Sequence, residues 1–105
     1  MTDKEMTELA AVALGLDVEW MTDNQGCSFL HNYENGCEFD PLHNDGDAFR
    51  LMVNLGLCVV IESDMVFCRN QRSDKVFRDR GKDKHNAVRR TIVSAAAEIG
   101  KKMKK

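Results

Sequence analysis

Two cysteines and two histidines lie close enough in the sequence to form a metal site. They are Cys27, His31, Cys37 and His43, with the spacing C-x3-H-x5-C-x5-H. Thiolate and imidazole groups are the ligands that zinc prefers, and four of them complete a tetrahedral structural site. The spacing matches none of the common zinc motifs, so ordinary thiols and surface histidines are the alternative. A small zinc-stabilised module is therefore one hypothesis for this chain.

Three aspartates around the single proline could also hold a metal ion or transfer protons. They are Asp40, Asp45 and Asp47. The calcium-loop pattern fails, because with Asp40 as the first ligand Leu42 falls where the third-position ligand should be. Pro41 instead restricts the residue before it to an extended or turn conformation. Asn44 or Asp45 is a good helix N-cap, so we interpret this segment as a turn followed by a capped helix.

The sequence carries no recognised catalytic motif. It lacks G-x-S-x-G, the Walker A pattern, H-E-x-x-H and G-x-G-x-x-G. Cys27 and His31 could be proposed as a nucleophile and its base, but two residues four apart on a strand do not by themselves indicate such a pair. We therefore expect a protein that is not an enzyme, with no catalytic residues and no cofactor.

A basic stretch over residues 69–90 is the strongest candidate for a binding surface. Its proposed contact residues for nucleic acid or a partner are Arg69, Arg72, Lys75, Arg78, Arg80, Arg89 and Arg90. Charge of this density could neutralise phosphates. Only Phe77 interleaves with it, and no helix-turn-helix or RNP signature is present. Nucleic-acid binding is thus the alternative to a protein-binding face.

Charge is divided unevenly between the two parts of the chain. Residues 1–64 contain thirteen Asp or Glu and two Lys or Arg, whereas residues 65–105 contain four and thirteen. The net charge of the whole chain is only −2. Such a division favours electrostatic steering towards a charged partner. It also allows self-association, in which the acidic part of one copy meets the basic part of another.

Length and composition indicate one soluble domain over residues 1–105. Hydrophobic residues make up 43% of the chain and charged residues 30%, which is ordinary for a globular protein. No apolar run is long enough to span a membrane, and the first residues do not form a signal peptide. We therefore expect a cytoplasmic protein with no membrane partner, whose four cysteines are free thiols.

Three helices are predicted from apolar periodicity and capping residues. The first covers about residues 3–14, because Thr2 and Glu5 match a capping box. The central helix ends before Gly56 and is apolar around most of its circumference, so we expect it to be covered on more than one side. The last helix starts near Asp83 or His85, and its end, residues 101–105, is expected to fray.

Strand predictions fill the segments between these helices. The candidate strands cover residues 17–21, 27–33, 37–39, 58–62, 65–69 and 75–78. Asn35-Gly36 is a strong hairpin signal and would place Tyr33 opposite Glu38. A two-residue turn at Ser63-Asp64 would place Val59 opposite Cys68 and Ile61 opposite Val66.

The second of these hairpins is apolar on both faces. We therefore expect it inside a sheet that is covered on both sides. The predicted order of elements is α-β-β-β-α-β-β-(β)-α. The fold class is α+β, a single-domain α/β sandwich with a mostly antiparallel sheet flanked by three helices.

Two segments carry a resemblance to a known group of proteins. Residues 39–57, with Phe39-Asp40-Pro41-Leu42, Asn44-Asp45-Gly46-Asp47-Ala48-Phe49-Arg50-Leu51 and Leu55-Gly56-Leu57, resemble the core of small tailed-phage and prophage proteins. Residues 87–100 are similar to the final arginine- and alanine-rich helix of the same proteins. The group is that of the phage ABA-sandwich and NinX-like proteins.

The resemblance implies a bacteriophage or prophage origin and an α/β sandwich. The matching residues are turns, caps and buried helix faces, and the group has no established activity, so no functional residue is carried over. We therefore predict a non-catalytic phage accessory protein that binds a host or phage macromolecule, with a protein as the favoured partner. Inhibition of a host defence or a host enzyme is one form that this could take.

Overall fold

The computed structural model describes residues 1–70, 76–80 and 83–104. Its elements are α1 (Asp3–Leu14), β1 (Val18–Thr22), β2 (Ser28–Asn32), β3 (Cys37–Glu38), α2 (Asp45–Leu55), β4 (Leu57–Ile61), β5 (Val66–Asn70), β6 (Val76–Asp79) and α3 (Lys84–Met103). This order confirms the predicted α+β class and the predicted succession of helices and strands.

The six strands form two antiparallel sheets of three strands each, in the orders β1-β2-β3 and β4-β5-β6. We call them the first sheet and the second sheet. A single sheet was expected. The strand β3 ends after two residues, because the chain passes through the Asp40-Pro41 turn into α2, and this helix separates the two sheets along the chain.

The connection between β2 and β3 differs from the predicted two-residue turn. Cys37 lies opposite Asn32, and the expected pairing of Tyr33 with Glu38 is wrong. The backbone N–H of Gly36 donates to the carbonyl of Asn32 at 2.9 Å, which closes a longer loop. Gly36 has φ +72°, a left-handed conformation that glycine adopts without a steric penalty.

The hairpin of β4 and β5 has the predicted register, with Val59 opposite Cys68 and Ile61 opposite Val66. The expectation that both of its faces are covered is wrong. The side chain of Val60 is 47% exposed and that of Ile61 57% exposed. The reason is that β4 is an edge strand and α3 packs against one face of the sheet.

The helix α3 forms the centre of the core. Its buried residues are Ala87, Thr91, Ile92, Val93, Ala95, Ala96, Ala97 and Gly100. The helix α1 packs closely against it, with Ala10 and Ala11 also buried. A Cβ atom built on Gly100 would lie 1.9 Å from the carbonyl oxygen of Leu9. The two backbones can approach this closely because glycine occupies the contact.

The helix ends follow the predicted caps. Thr2 accepts a hydrogen bond from the backbone N–H of Glu5 at 3.1 Å. Asn44 caps α2 and Asp83 caps α3. The last helix continues to Met103 and so includes part of the lysine-rich segment that was expected to fray. In the described part of the chain, no helix combines the length and the apolar character needed to cross a bilayer.

The helix α2 is more open than predicted. The side chains of Phe49 and Val53 are 58% and 57% exposed, and they lie four residues apart on one face of the helix. Leu51 and Ala48 are buried on the opposite side. The expected cover on more than one side is therefore wrong, and α2 presents an apolar stripe to the outside.

Candidate functional site

The structure does not assemble the four predicted zinc ligands. Cys27 is exposed just before β2, whereas Cys37 is exposed opposite Asn32 at the other end of that strand. Five residues of strand span about 16 Å, too far for two ligands of one ion. The imidazole Nδ1 of His43 lies 3.0 Å from a carboxylate oxygen of Asp40. Among the residues described, no group of three or more His, Cys, Asp or Glu is placed to hold a metal.

His31 belongs instead to an aromatic cluster on the first sheet. Its ring contacts that of Tyr33 edge to face, with the ring centroids 4.7 Å apart. The hydroxyl of Tyr33 donates to the carboxylate of Glu19. This hydrogen bond raises the pKa of Tyr33 above its usual value. These contacts explain His31 without a ligand.

The aspartates around Pro41 cap and brace α2, as the turn interpretation predicted. The buried carboxylate of Asp47 accepts from the backbone N–H of Asp40 at 2.9 Å and from Arg50 at 3.0 Å. The side chain of Asn44 accepts from the N–H of Asp47 at 3.0 Å. Burial raises the pKa of the neighbouring Glu38, and the Asp40 carboxylate adds to that rise.

Two of the predicted binding arginines serve the fold. Arg89 donates from Nε to the carbonyl of Leu42 at 2.8 Å and from Nη1 to Asp45 at 2.6 Å. Arg90 donates to both carboxylate oxygens of Asp3, at 3.0 and 3.3 Å. This pair lowers the pKa of Asp3. Both guanidinium groups are thus engaged in intramolecular ion pairs, and that of Arg89 is largely buried.

The uneven charge of the sequence is partly neutralised within one chain. Arg89 and Arg90 of the basic part meet acidic residues at the N-termini of α2 and α1. The Nζ of Lys104 lies 3.9 Å from the carboxylate of Glu8. Because these pairs join the acidic and basic parts, separation of charge along the sequence is not the same as separation on the surface.

The other described arginines of the predicted basic stretch, Arg69, Arg78 and Arg80, lie on or directly beside the second sheet. The face of this sheet that points away from α3 carries Cys58, Val60, Phe67, Arg69, Val76 and Arg78. We call it the outer sheet face. Successive side chains of a strand alternate between faces, so Val66, Cys68 and Phe77 belong to the inner face.

The outer sheet face combines positive charge with apolar surface. Arg69 and Arg78 are exposed, and the guanidinium carbon of Arg78 lies 5.6 Å from the ring centroid of Phe67, within cation–π range. Arg80 follows the end of β6 and is also exposed. None of the six outward positions on these described strands is acidic. The predicted contact residues Arg72 and Lys75 lie outside the described residues.

The aromatic residue of the outer sheet face is Phe67. Phe77, which interleaves with the basic charges in the sequence, lies opposite Cys68 and belongs to the inner face. Phe67 occupies the central strand and lies opposite both Val60 and Arg78. Strand alternation relative to Arg69 was the signal that could have identified it, since residues two apart share a face.

A second feature that sequence reasoning missed is an apolar groove of about 520 Å³ beside β4. Its walls are formed by α2, α3 and the inner face of β4. The apolar lining residues are Ala48, Phe49, Met52, Val59, Ile61, Val88 and Ile92. The groove was missed because the sequence analysis assumed that these elements are covered.

Two cysteines of the second sheet lie on opposite faces. Cys58 is exposed on the outer sheet face, whereas Cys68 is buried against the core. Burial, together with the neighbouring Cys58, raises the pKa of the Cys68 thiol to about 12. A thiol reacts as its thiolate, so Cys68 is inert at neutral pH.

No protein-family model matches this chain, and neither a curated protein nor a solved structure matches it. The resemblance to small phage proteins therefore stays a prediction.

Proposed function

We propose that this protein is a non-catalytic phage or prophage accessory protein that binds a host or phage protein through the outer sheet face. The observation that carries the proposal is the composition of that face. It joins two exposed arginines, Arg69 and Arg78, to apolar side chains and has no acidic residue at its outward positions. The partner surface that complements it is acidic, with apolar groups between the carboxylates.

A protein partner fits this composition better than a nucleic acid does. Arginine and aromatic residues are enriched at protein interfaces, where a few of them supply most of the binding energy. The aliphatic side chains of Val60 and Val76 offer packing surface but cannot stack on bases. Phe67 is the single aromatic residue among the six outward positions, and Arg78 lies over its ring. Sequence-tolerant strand binding uses several aromatic platforms in succession.

The phage origin rests on the resemblance of residues 39–57 and 87–100 to small phage proteins. In that setting the protein acts in the cytoplasm of the host cell. Occupation of an acidic surface on a host defence protein or a host enzyme would inhibit it without catalysis. The positive face would speed the encounter, and salt would weaken that effect.

Single-stranded nucleic acid is the second candidate ligand. Phe67 lies on the central strand with Arg69 two residues along the same face and Arg78 directly opposite. Such an arrangement places one stacking ring between two phosphate-binding groups. This candidate replaces the longer basic stretch predicted from the sequence, because Arg89 and Arg90 are paired internally.

The test compares a double charge reversal on the face with a matched control. Tagged wild-type protein, the Arg69→Glu/Arg78→Glu variant and the Lys101→Glu/Lys102→Glu variant are incubated with nuclease-treated host lysate. Lys101 and Lys102 are exposed in the last turn of α3, so the control changes net charge equally at a distant place. Bound proteins are identified by mass spectrometry, and unfolding curves verify that each variant is folded.

The expected result is one protein recovered in stoichiometric amount by the wild type and the control but lost with the face variant. Capture that is equal for all three proteins would refute the proposed face. A fluorescent oligothymidine titration runs in parallel. Binding that depends on Arg69 and Arg78 and falls steeply with salt would favour the second candidate.

A further inference from the structure

The free edge of the second sheet is built to accept another strand. In the described part of the chain, β4 pairs with β5 on one side and has no strand on the other. The N–H of Glu62 donates to the carbonyl of Met65 at 2.8 Å at the end of the hairpin. Hydrogen-bonded and non-hydrogen-bonded pairs alternate in an antiparallel ladder. The backbone groups of Leu57, Val59 and Ile61 therefore point away from β5, towards the open edge.

Other edges of the two sheets carry charges that discourage strand addition. Among the described strands, β1 carries Glu19, β3 carries Glu38 and β6 carries Arg78 and Asp79. The strand β4 reads Leu-Cys-Val-Val-Ile, with no charge, proline or glycine. An uncharged, exposed edge is a template for pairing with another chain, and monomeric proteins protect such edges. The unprotected edge of β4 points to an occupant.

We propose that two copies of this chain pair through β4, antiparallel and related by a two-fold axis at Val59, to form a continuous six-stranded sheet. The association needs no other partner, so it goes beyond the proposed binding function. In this register Leu57 lies opposite Ile61 of the second copy, and Val59 lies opposite Val59 of the second copy. The backbone N–H and C=O groups that point to the open edge of one copy then face the same groups of the second copy along the whole strand.

The side chains that face each other across the proposed contact are also compatible. Every cross-strand pair within the five residues of β4 is apolar, so no like charges meet at the new contact. The inner-face side chains of the second copy extend over the groove beside β4, which Phe49, Met52 and Val88 line. A two-fold axis produces an isologous contact, in which each copy supplies the same surface.

The same pairing accounts for the open side of α2. Half of the exposed large hydrophobic residues in the described chain, four of eight, lie on α2 and β4; they are Phe49, Val53, Val60 and Ile61. Five residues of strand pairing bury less surface than a stable dimer needs. The stripe of Phe49 and Val53, which continues from the groove along α2, supplies additional apolar surface near the axis.

The first experiment measures association and its dependence on charge at the edge. Sedimentation equilibrium of the wild type over a wide concentration range is compared with Ile61→Lys and Val76→Lys. Lysine on an edge strand opposes pairing. We expect a monomer–dimer equilibrium whose dissociation constant rises about tenfold or more in Ile61→Lys, a change of about 1.4 kcal/mol. Val76→Lys adds the same charge at the opposite edge of the sheet and leaves the constant unchanged.

Salt distinguishes this dimer from one held by the uneven charge of the chain. Pairing through apolar β4 is unaffected or strengthened by added sodium chloride, whereas contact between acidic and basic parts weakens. A wild type that is monomeric at every concentration would overturn the proposal and leave the edge for a segment of a different protein. Equal dissociation constants for the wild type and Ile61→Lys would show that the dimer does not form through β4.

The second experiment tests the register directly and does not depend on a disruptive variant. The proposed axis places Val60 opposite Cys58 of the second copy, as a non-hydrogen-bonded pair with Cα atoms about 4.5 Å apart. That distance suits a disulfide. In a Cys27→Ser/Cys37→Ser background, which removes two exposed thiols, Val60→Cys should form a covalent dimer with oxidised glutathione. Val76→Cys should not, and failure of Val60→Cys in folded protein would exclude this register.

Discussion

The helices α1 and α2 both pack against α3, but they do so in opposite ways. The contact of α1 is made by small residues such as Ala10, Ala11 and Gly100, and it is close and buried. The helix α2 buries Leu51 but is fixed at its N-terminus by polar groups, through the hydrogen bonds of Arg89 to Leu42 and Asp45. Its large side chains Phe49 and Val53 remain exposed.

The difference shows where this chain uses its apolar residues. Small side chains allow two helix backbones to approach closely, and dispersion contacts accumulate over the whole crossing. A helix held by its end can keep a large apolar stripe open, at the cost of exposed hydrophobic area that usually marks an interaction site. The α1 contact thus serves stability, whereas the open side of α2 lies next to the edge at which we propose association.

The largest effect is expected from Gly100→Ala, which would break the close contact of α1. In an exposed helix this change would stabilise by about 1 kcal/mol. Here the new Cβ would lie 1.9 Å from the carbonyl oxygen of Leu9, a backbone atom that cannot rotate away. We expect a net loss of about 2–3 kcal/mol in the free energy of unfolding, measured by urea denaturation at matched protein concentrations.

The control for this prediction is Lys101→Ala, one residue further along α3 and exposed. It should change the free energy of unfolding by less than about 0.5 kcal/mol. If Gly100→Ala left the free energy of unfolding unchanged or raised it, α1 and α3 could not approach each other as closely as the contact of Gly100 with Leu9 requires.

A smaller effect is expected from Arg89→Lys, which would weaken the polar attachment of α2. Arg89 is 15% exposed and donates from two different nitrogens to two acceptors. The single ammonium of lysine cannot reproduce this geometry. We expect a loss of about 1–2 kcal/mol in the free energy of unfolding. Arg50→Lys is the matched control, because Arg50 is 64% exposed and its pair with Asp47 should contribute less than about 1 kcal/mol. Equal losses in the two variants would contradict a special role for Arg89.

Local sequence signals predicted the elements well because each depends on few residues. The boundaries of α1 and α2 were predicted to within a residue. The signals were the caps at Thr2 and Asn44 and the glycine at the end of α1, Gly15, which is left-handed. The register of β4 and β5 followed from a two-residue turn with Val59 opposite Cys68. Propensity, apolar period and capping agree in these segments.

The tertiary arrangement was harder to predict, because it depends on which faces meet. The apolar hairpin suggested a buried sheet, but α3 covers one face and leaves Val60 exposed. The basic stretch suggested one surface, but α3 turns Arg89 and Arg90 towards acidic helix ends while β5 and β6 turn Arg69 and Arg78 outwards. Spacing in sequence does not reveal such divisions until the packing of α3 is known.

The smallest effect concerns the ion pair that ties the N-terminus of α1 to α3, and it should appear as a pH dependence. Arg90 lowers the pKa of Asp3 below 3.8, so the pair stabilises the fold above that pH and the contribution is lost as pH falls through the folded pKa. Both side chains are at least partly exposed, and we expect no more than about 0.5 kcal/mol. The coupling energy between the two side chains is obtained from a double-mutant cycle. The free energy of unfolding is measured at pH 7 and pH 3 for the wild type, Asp3→Asn, Arg90→Gln and the double variant. The coupling energy should be smaller at pH 3 than at pH 7, because protonation of Asp3 removes the charge of the pair, and an equal coupling at the two pH values would show that something other than the carboxylate charge joins α1 to α3 at this end.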